Sequence, residues 1–152
     1  MAVHIETGTM RSPVKYQEYQ SYNLNHLGLV AGMYDELGIG TLLDKIIIQD
    51  LEQRNISVGQ AVKAMILNGL GFANRSLYLV SHFFQDKPIE RLIGEGILVE
   101  HLNDDVLGRA LDAIYASGVT ETYSQIAVQA IKQLRLDCRT AHLDSTSFHT
   151  SV

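Results

Sequence analysis

Residues 57–70 read SVGQAVKAMILNGL. Ser57 and Gln60 stand in capping-box spacing, each placed to satisfy a free backbone N–H of a helix's first turn. Behind them Val58, Ala61, Val62, Met65, Ile66 and Leu70 recur at spacings that put them on one helical stripe. Gln60, Lys63 and Asn68 offer an opposite, polar face, and Gly69 and Gly71 allow close packing near the helix end. This stretch sets the class: a mainly α chain built around one well-signalled helix.

Working toward the N-terminus, Leu27, Val30, Ala31, Tyr34 and Leu37 repeat every three or four residues and predict a helix from Leu24. Gly38 and Gly40 are expected to stop it. Thr41 then caps a short helix with Asp44 three residues on, burying Leu42, Leu43, Ile46 and Ile47. Residues 1–22 carry no periodicity and read as a flexible arm or a loosely docked strand.

Toward the C-terminus, Leu77 to Phe84 is short and very apolar; helix or strand both fit, and its helical neighbours favour helix. Lys87-Pro88 opens a brief helical turn that Gly94-Glu95-Gly96 ends. Asn103 or Asp104 caps a longer helix whose stripe is Val106, Leu107, Ala110, Leu111, Ile114 and Tyr115. After Gly118 a last helix aligns Tyr123, Ile126, Ala127, Ala130, Ile131 and Leu134, so the pair reads as an αα-hairpin. From Arg139 to Phe148 the pattern becomes short, β-prone and alternating, which predicts a strand. A lone strand is not a stable unit, so its sheet partners lie elsewhere.

Composition narrows the function. Of 152 residues, 46% are hydrophobic and 19% charged, enough to build a core and to exclude wholesale disorder. Twelve lysines and arginines face seventeen acids, for a net charge of −5. No whole-chain basic field exists to attract DNA or an anionic membrane, so a nucleic-acid role requires a local patch. The single cysteine, Cys138, makes no internal disulfide. With no apolar leader and no window long enough for a bilayer, a cytoplasmic chain with no membrane partner is the expectation.

Few residues suggest chemistry. Asp144, at the end of the strand-like segment, is placed to bind a hard divalent cation; equally, it turns the chain by bonding backbone near Ser145 and Thr146. His142 and Asp144 share a strand face, and His149 follows, which gives a His/Asp metal cluster or ordinary exposed histidines. A small metal-dependent hydrolase built on these three is one function class. Arg135 and Arg139 flank Cys138 and would lower its thiol pKa. The other cations, among them Arg54, Arg75, Arg91, Arg109 and Lys132, are spread over several elements. They form either a solvated surface or a set of phosphate contacts.

Four stretches, HLGLVAGMYDELGI (26–39), SVGQAVKAMILNGLGF (57–72), HLNDDVLGRALD (101–112) and HLDSTSFH (142–149), carry a specific resemblance. Over residues 16–150 the chain resembles bacterial insertion-sequence transposases of the DDE class. In these a helical region, a domain of unknown function, precedes a ribonuclease-H-like core. The resemblance implies three parts: an arm at 1–22, a helical transposase-associated domain at 23–136, and at 137–152 the first strand of a truncated ribonuclease-H-like domain. It places Asp144 at the first of three metal-binding acids, with the second Asp and the Glu expected beyond Val152. A complete transposase would use Mg²⁺ or Mn²⁺. With one acid of three, this chain is expected to hold no cofactor and to be catalytically incompetent alone. The implied role is to help bind the terminal repeats of the element, or to help assemble the transposase. The alternative is a subunit-interaction module, or an inhibitor of full-length transposase, that never touches DNA.

Overall fold

A computed structural model describes residues 21–22, 24–48, 55–71 and 77–139. Seven α-helices lie among them, and no strand does. The expected N-terminal arm through residue 20, and the strand-like segment from residue 140, lie outside the described residues.

The helix read from residues 57–70 is α3, Val58–Leu70, and its capping box is complete: Gln60 N donates to Ser57 Oγ at 3.1 Å, and Ser57 N donates to Gln60 Oε1 at 2.9 Å. The expected polar face is corrected by the packing. Lys63 and Asn68 are buried together with Val58, Ala61, Ala64 and Leu67, while Leu70 is exposed. The reason is position. Helices α1 (Asn25–Glu36), α2 (Ile39–Ile46), α4 (Val80–Phe84) and α6 (Asp104–Ala116) all pack on α3, so it has almost no solvent side.

Helix α1 buries Leu27, Ala31 and Tyr34, as the spacing predicts. Gly38 ends it in the left-handed region at φ 64, and the same residue starts α2, accepting from Leu42 N at 3.0 Å. A second correction follows: Gly40 does not stop a helix and Thr41 does not cap one, because both lie inside α2. Gly40 is needed for another reason. A Cβ on Gly59 of α3 would stand 2.5 Å from Gly40 O and 2.7 Å from Gly40 Cα, so the two backbones touch where both residues lack side chains.

After a 3₁₀ turn, Leu77–Leu79, comes α4, whose Phe83 and Phe84 rings meet edge to face at 4.9 Å between centroids. Lys87 Nζ sits 4.3 Å from the Phe83 ring centre. The short α5, Ile89–Leu92, and a 3₁₀ turn, Val99–Leu102, then close one side of the core. Phe84, Leu43, Leu67, Leu92, Leu102 and Leu107 are its largest fully buried side chains. Asn103 caps α6 through Val106 N at 3.0 Å, and Asp104 and Asp105 oppose the positive end of the helix dipole. Ser117 and Gly118 link α6 to the last helix, α7, Val119–Leu134, which ends on Arg135 in the left-handed region at φ 50.

Two substitutions test the glycine contact. Gly59→Ala forces backbone apart and should lower stability by about 2 kcal/mol or abolish folding. Gly69→Ala, at a helical position with open space around it, should be neutral or stabilising by up to about 1 kcal/mol. Urea denaturation read by circular dichroism separates them.

Candidate functional site

Of the residues singled out for chemistry, His142, Asp144 and His149 lie outside the described residues. Among the described residues no group of three His, Cys, Asp or Glu side chains is placed to hold a metal ion. His26 Nε2 lies 2.9 Å from Leu70 O, and His101 Nδ1 accepts from Leu98 N at 3.1 Å, so both serve the backbone. Cys138 is exposed. Its neighbour Arg139 is committed to Asp137, whose carboxyl it holds below the usual carboxylate range.

A polar cluster that sequence reasoning missed lies where α1, α2 and α3 meet. Lys63 Nζ donates to both carboxylate oxygens of Asp35, at 2.8 and 2.7 Å. The Lys63 side chain is 5% exposed and that of Asp35 63%, so a buried stem delivers its charge to a wet partner. Tyr34 Oη donates to Gly59 O at 2.8 Å, and Asp44 Oδ1 accepts from Gly59 N at 2.7 Å. Burial, then the negative charges of Asp44 and Asp35, push the Tyr34 phenol above its ordinary value of 10.0. These residues border a shallow depression of about 250 Å³. Their polar atoms are spent on one another and on the glycine contact. The arrangement therefore fastens three helices rather than presenting a nucleophile and a base.

The second feature is the orientation of α7. The stripe read from the sequence, Tyr123, Ile126, Ala127, Ala130, Ile131 and Leu134, is divided by the packing. Ile126 packs on the core as expected and Ala127 and Ala130 are half-buried, whereas Tyr123, Ile131 and Leu134 are exposed. Thr122 is buried, and Gln129 Nε2 donates to Leu37 O at 2.6 Å and Gly38 O at 2.8 Å. Thr122 and Gln129 lie roughly a quarter- to a third-turn from Tyr123 at ~100° per residue. Thus the α1–α2 corner takes the amide side of α7, because its carbonyls need a donor, and Tyr123 is left outside. Leu111 and Tyr115 of α6 are exposed as well.

Between Leu42 of α2 and α7 runs an open cleft of about 560 Å³, lined by Ser124, Gln125, Val128, Gln129 and Lys132. Glu121 lines it as well, Gln125 Nε2 donates to the Glu121 carboxylate at 3.2 Å, and the Gln129 amide nitrogen is held by the two backbone carbonyls, which leaves the Lys132 ammonium as its cation. The Ser124 hydroxyl donates to Thr120 O at 2.8 Å.

Comparison with known proteins adds a family. A family model described as a domain of unknown function (DUF4277) matches residues 19–128. No curated protein and no solved structure matches the chain. No helix among the described residues is long and apolar enough to cross a membrane.

Three outcomes check this geometry. Asp35→Asn strands the buried Lys63 ammonium and should cost about 1–3 kcal/mol, whereas Lys63→Met, which removes the charge and keeps the stem, should cost less. Thermal melts at neutral pH rank the two. The raised Tyr34 pKa sets an alkaline limit. Its stabilising contribution is complete below the unfolded value, about 10, and is lost as pH rises from there toward the higher folded value. Melts at rising pH should therefore fall more steeply for the native chain than for Tyr34→Phe, which loses about 1 kcal/mol at neutral pH instead.

Proposed function

The chain belongs to the DUF4277 family of domains of unknown function, and we propose that it is the helical, non-catalytic front module of an insertion-sequence transposase of the DDE class, serving assembly of that enzyme. The link to transposases rests on the motif resemblance, carried by HLGLVAGMYDELGI, SVGQAVKAMILNGLGF, HLNDDVLGRALD and HLDSTSFH. The role in assembly rests on one observation: α7 leaves Val119, Tyr123, Val128, Ile131 and Leu134 exposed. An apolar helix face of this length in water marks a surface made for another protein surface.

The charge distribution supports protein contact over DNA contact. Lys63, Lys87 and Arg139 are paired with Asp35, Asp86 and Asp137. Lys45, Arg91 and Arg109 are exposed on three separate helices, and Lys132 and Arg135 lie together at the end of α7. A duplex draws its affinity mainly from many cations acting together on phosphates. In this reading Asp144 is the first acid of a triad completed outside this chain, and Mg²⁺ or Mn²⁺ belongs to the complete enzyme.

A second reading, contact with the terminal repeats, has one observation in its favour. Lys132, which lines the cleft beside α7, and Arg135 three residues on are exposed cations of the kind that contact phosphates.

Sequencing the source DNA downstream of codon 152, in all three frames, tests the lineage. An Asp and a Glu within a ribonuclease-H-like pattern are expected; unrelated sequence would remove the transposase reading. Gel-shift titration at low salt, on duplexes carrying the element's ends, then separates the two roles. The assembly reading expects no retardation at micromolar chain. Retardation that collapses as salt rises would transfer the assignment to DNA contact.

A further inference from the structure

We infer that α7 is a hinged arm: it opens from the helical body as a unit about Gly118, and the Gln129 amide is the latch that holds it shut. The inference stands on this chain's own residues and holds whether or not the transposase reading does.

The body completes its core without α7. Of the sixteen residues of α7 only Thr122 is buried, against seven of thirteen in α3. None of the buried apolar residues that make up the core comes from α7, and Ile126 packs against them only partly buried. Every residue from Ile131 to Arg139 is exposed, so the last turn of the helix stands clear of the body. Nor is the seam filled. The cleft of about 560 Å³ opens between Leu42 and the Val128 and Lys132 side of α7. Packed interiors hold few voids larger than a water molecule, so this seam lacks the interlocking that ties α3 to α2.

One side chain fastens it. Gln129 Nε2 donates to Leu37 O at 2.6 Å and to Gly38 O at 2.8 Å. Among the described residues no other side chain of α7 makes a hydrogen bond outside its own helix and cap: Ser124 serves Thr120 O, and Gln125 serves Glu121. The receiving turn is shaped for the amide. A Cβ on Gly38 would stand 2.9 Å from Gln129 Nε2, so the glycine leaves the room that the latch occupies. Bonds of this kind each shift an equilibrium by a factor of about five, enough to hold the arm and not enough to lock it.

The other end has the freedom to turn. Ser117 and Gly118 link α6 to α7, and Gly118 takes φ 88 and ψ 106. A Cβ there would meet only the Glu121 Cβ, at 3.7 Å. Glycine changes φ at low cost, and a few positions at the ends of elements suffice to absorb a hinge motion. Opening carries the helix and the residues after Arg135 away from α2 and uncovers Leu42 and Ile126. The Lys63–Asp35 joint has no member in α7 and stays closed. The position of α7 therefore sets where the chain beyond Arg135 leaves the body.

Native-state hydrogen exchange of the full chain tests this, read residue by residue by NMR at urea concentrations below the unfolding transition. Once undocked, a helix of this length is marginal in water, so its amides exchange from the open state. After correction for intrinsic rates, the amides of residues 123–130 should open together and exchange at least about tenfold faster than those of α3. Gln129→Ala and Gln129→Glu should each speed α7 exchange about tenfold further and leave α3 unchanged. The second variant keeps the size of the side chain and removes its amide donor. Circular dichroism checks that both fold, and the native chain alone decides the hinge if either does not. Exchange of α7 and α3 through one common unfolding overturns the inference. So does protection that fades stepwise from Leu134 toward Thr122, which is fraying of a fixed helix. Latch variants that leave α7 exchange unchanged, or that speed α7 and α3 alike, overturn the role of Gln129.

Discussion

The near-contact of Gly59 with Gly40 sets the arrangement of the first three helices, and much of the rest is built on it. Two helices whose backbones touch cannot shift along one another without losing the contact. That fixes α3 against α2 and leaves the polar groups around Gly59 to be satisfied by side chains rather than water. Asp44 takes its N–H and Tyr34 serves its carbonyl. Lys63, one turn further along α3, reaches Asp35 beside Tyr34. Two of these bonds tie α1 to α3 and one ties α2 to α3, so the three helices form one joint. The apolar core then fills around α3, with Leu43, Leu67 and Phe84 among its largest members.

Much of this architecture was legible in the sequence. The Ser57–Gln60 box, the Asn103 cap and the α1 stripe are local signals, carried by residues three or four apart, and each appears where the spacing puts it. Gly40 and Lys63 were misread for a shared reason. A glycine signals chain freedom and a lysine signals solvent, but here both answer to a helix elsewhere in the chain. Gly40 makes room for Gly59, and Lys63 runs along the joint to an acid 28 residues earlier. Tertiary partners of that kind leave no periodic trace.

Which residues of the α7 stripe stay exposed was illegible for the opposite reason. Its periodicity is strong, and a strong stripe says that a face will be covered without saying by what. What decides its direction is Gln129, a single polar residue that reaches the carbonyls at the turn between α1 and α2. The matched residues run through most of α7 and stop at 128, within that helix.

The separations in sequence also imply an order of folding. The bonds of the first joint span 15, 25 and 28 residues, whereas Gln129 closes on Leu37 across 92. Short loops close at lower entropic cost, and a chain leaving the ribosome offers its earlier half first. The joint can therefore set before α7 has been synthesised. Helix α7 docks last, onto a body already formed, through few apolar contacts. The exposed apolar residues of α7 would then emerge only after the first three helices are fixed and no longer free to misfold against them.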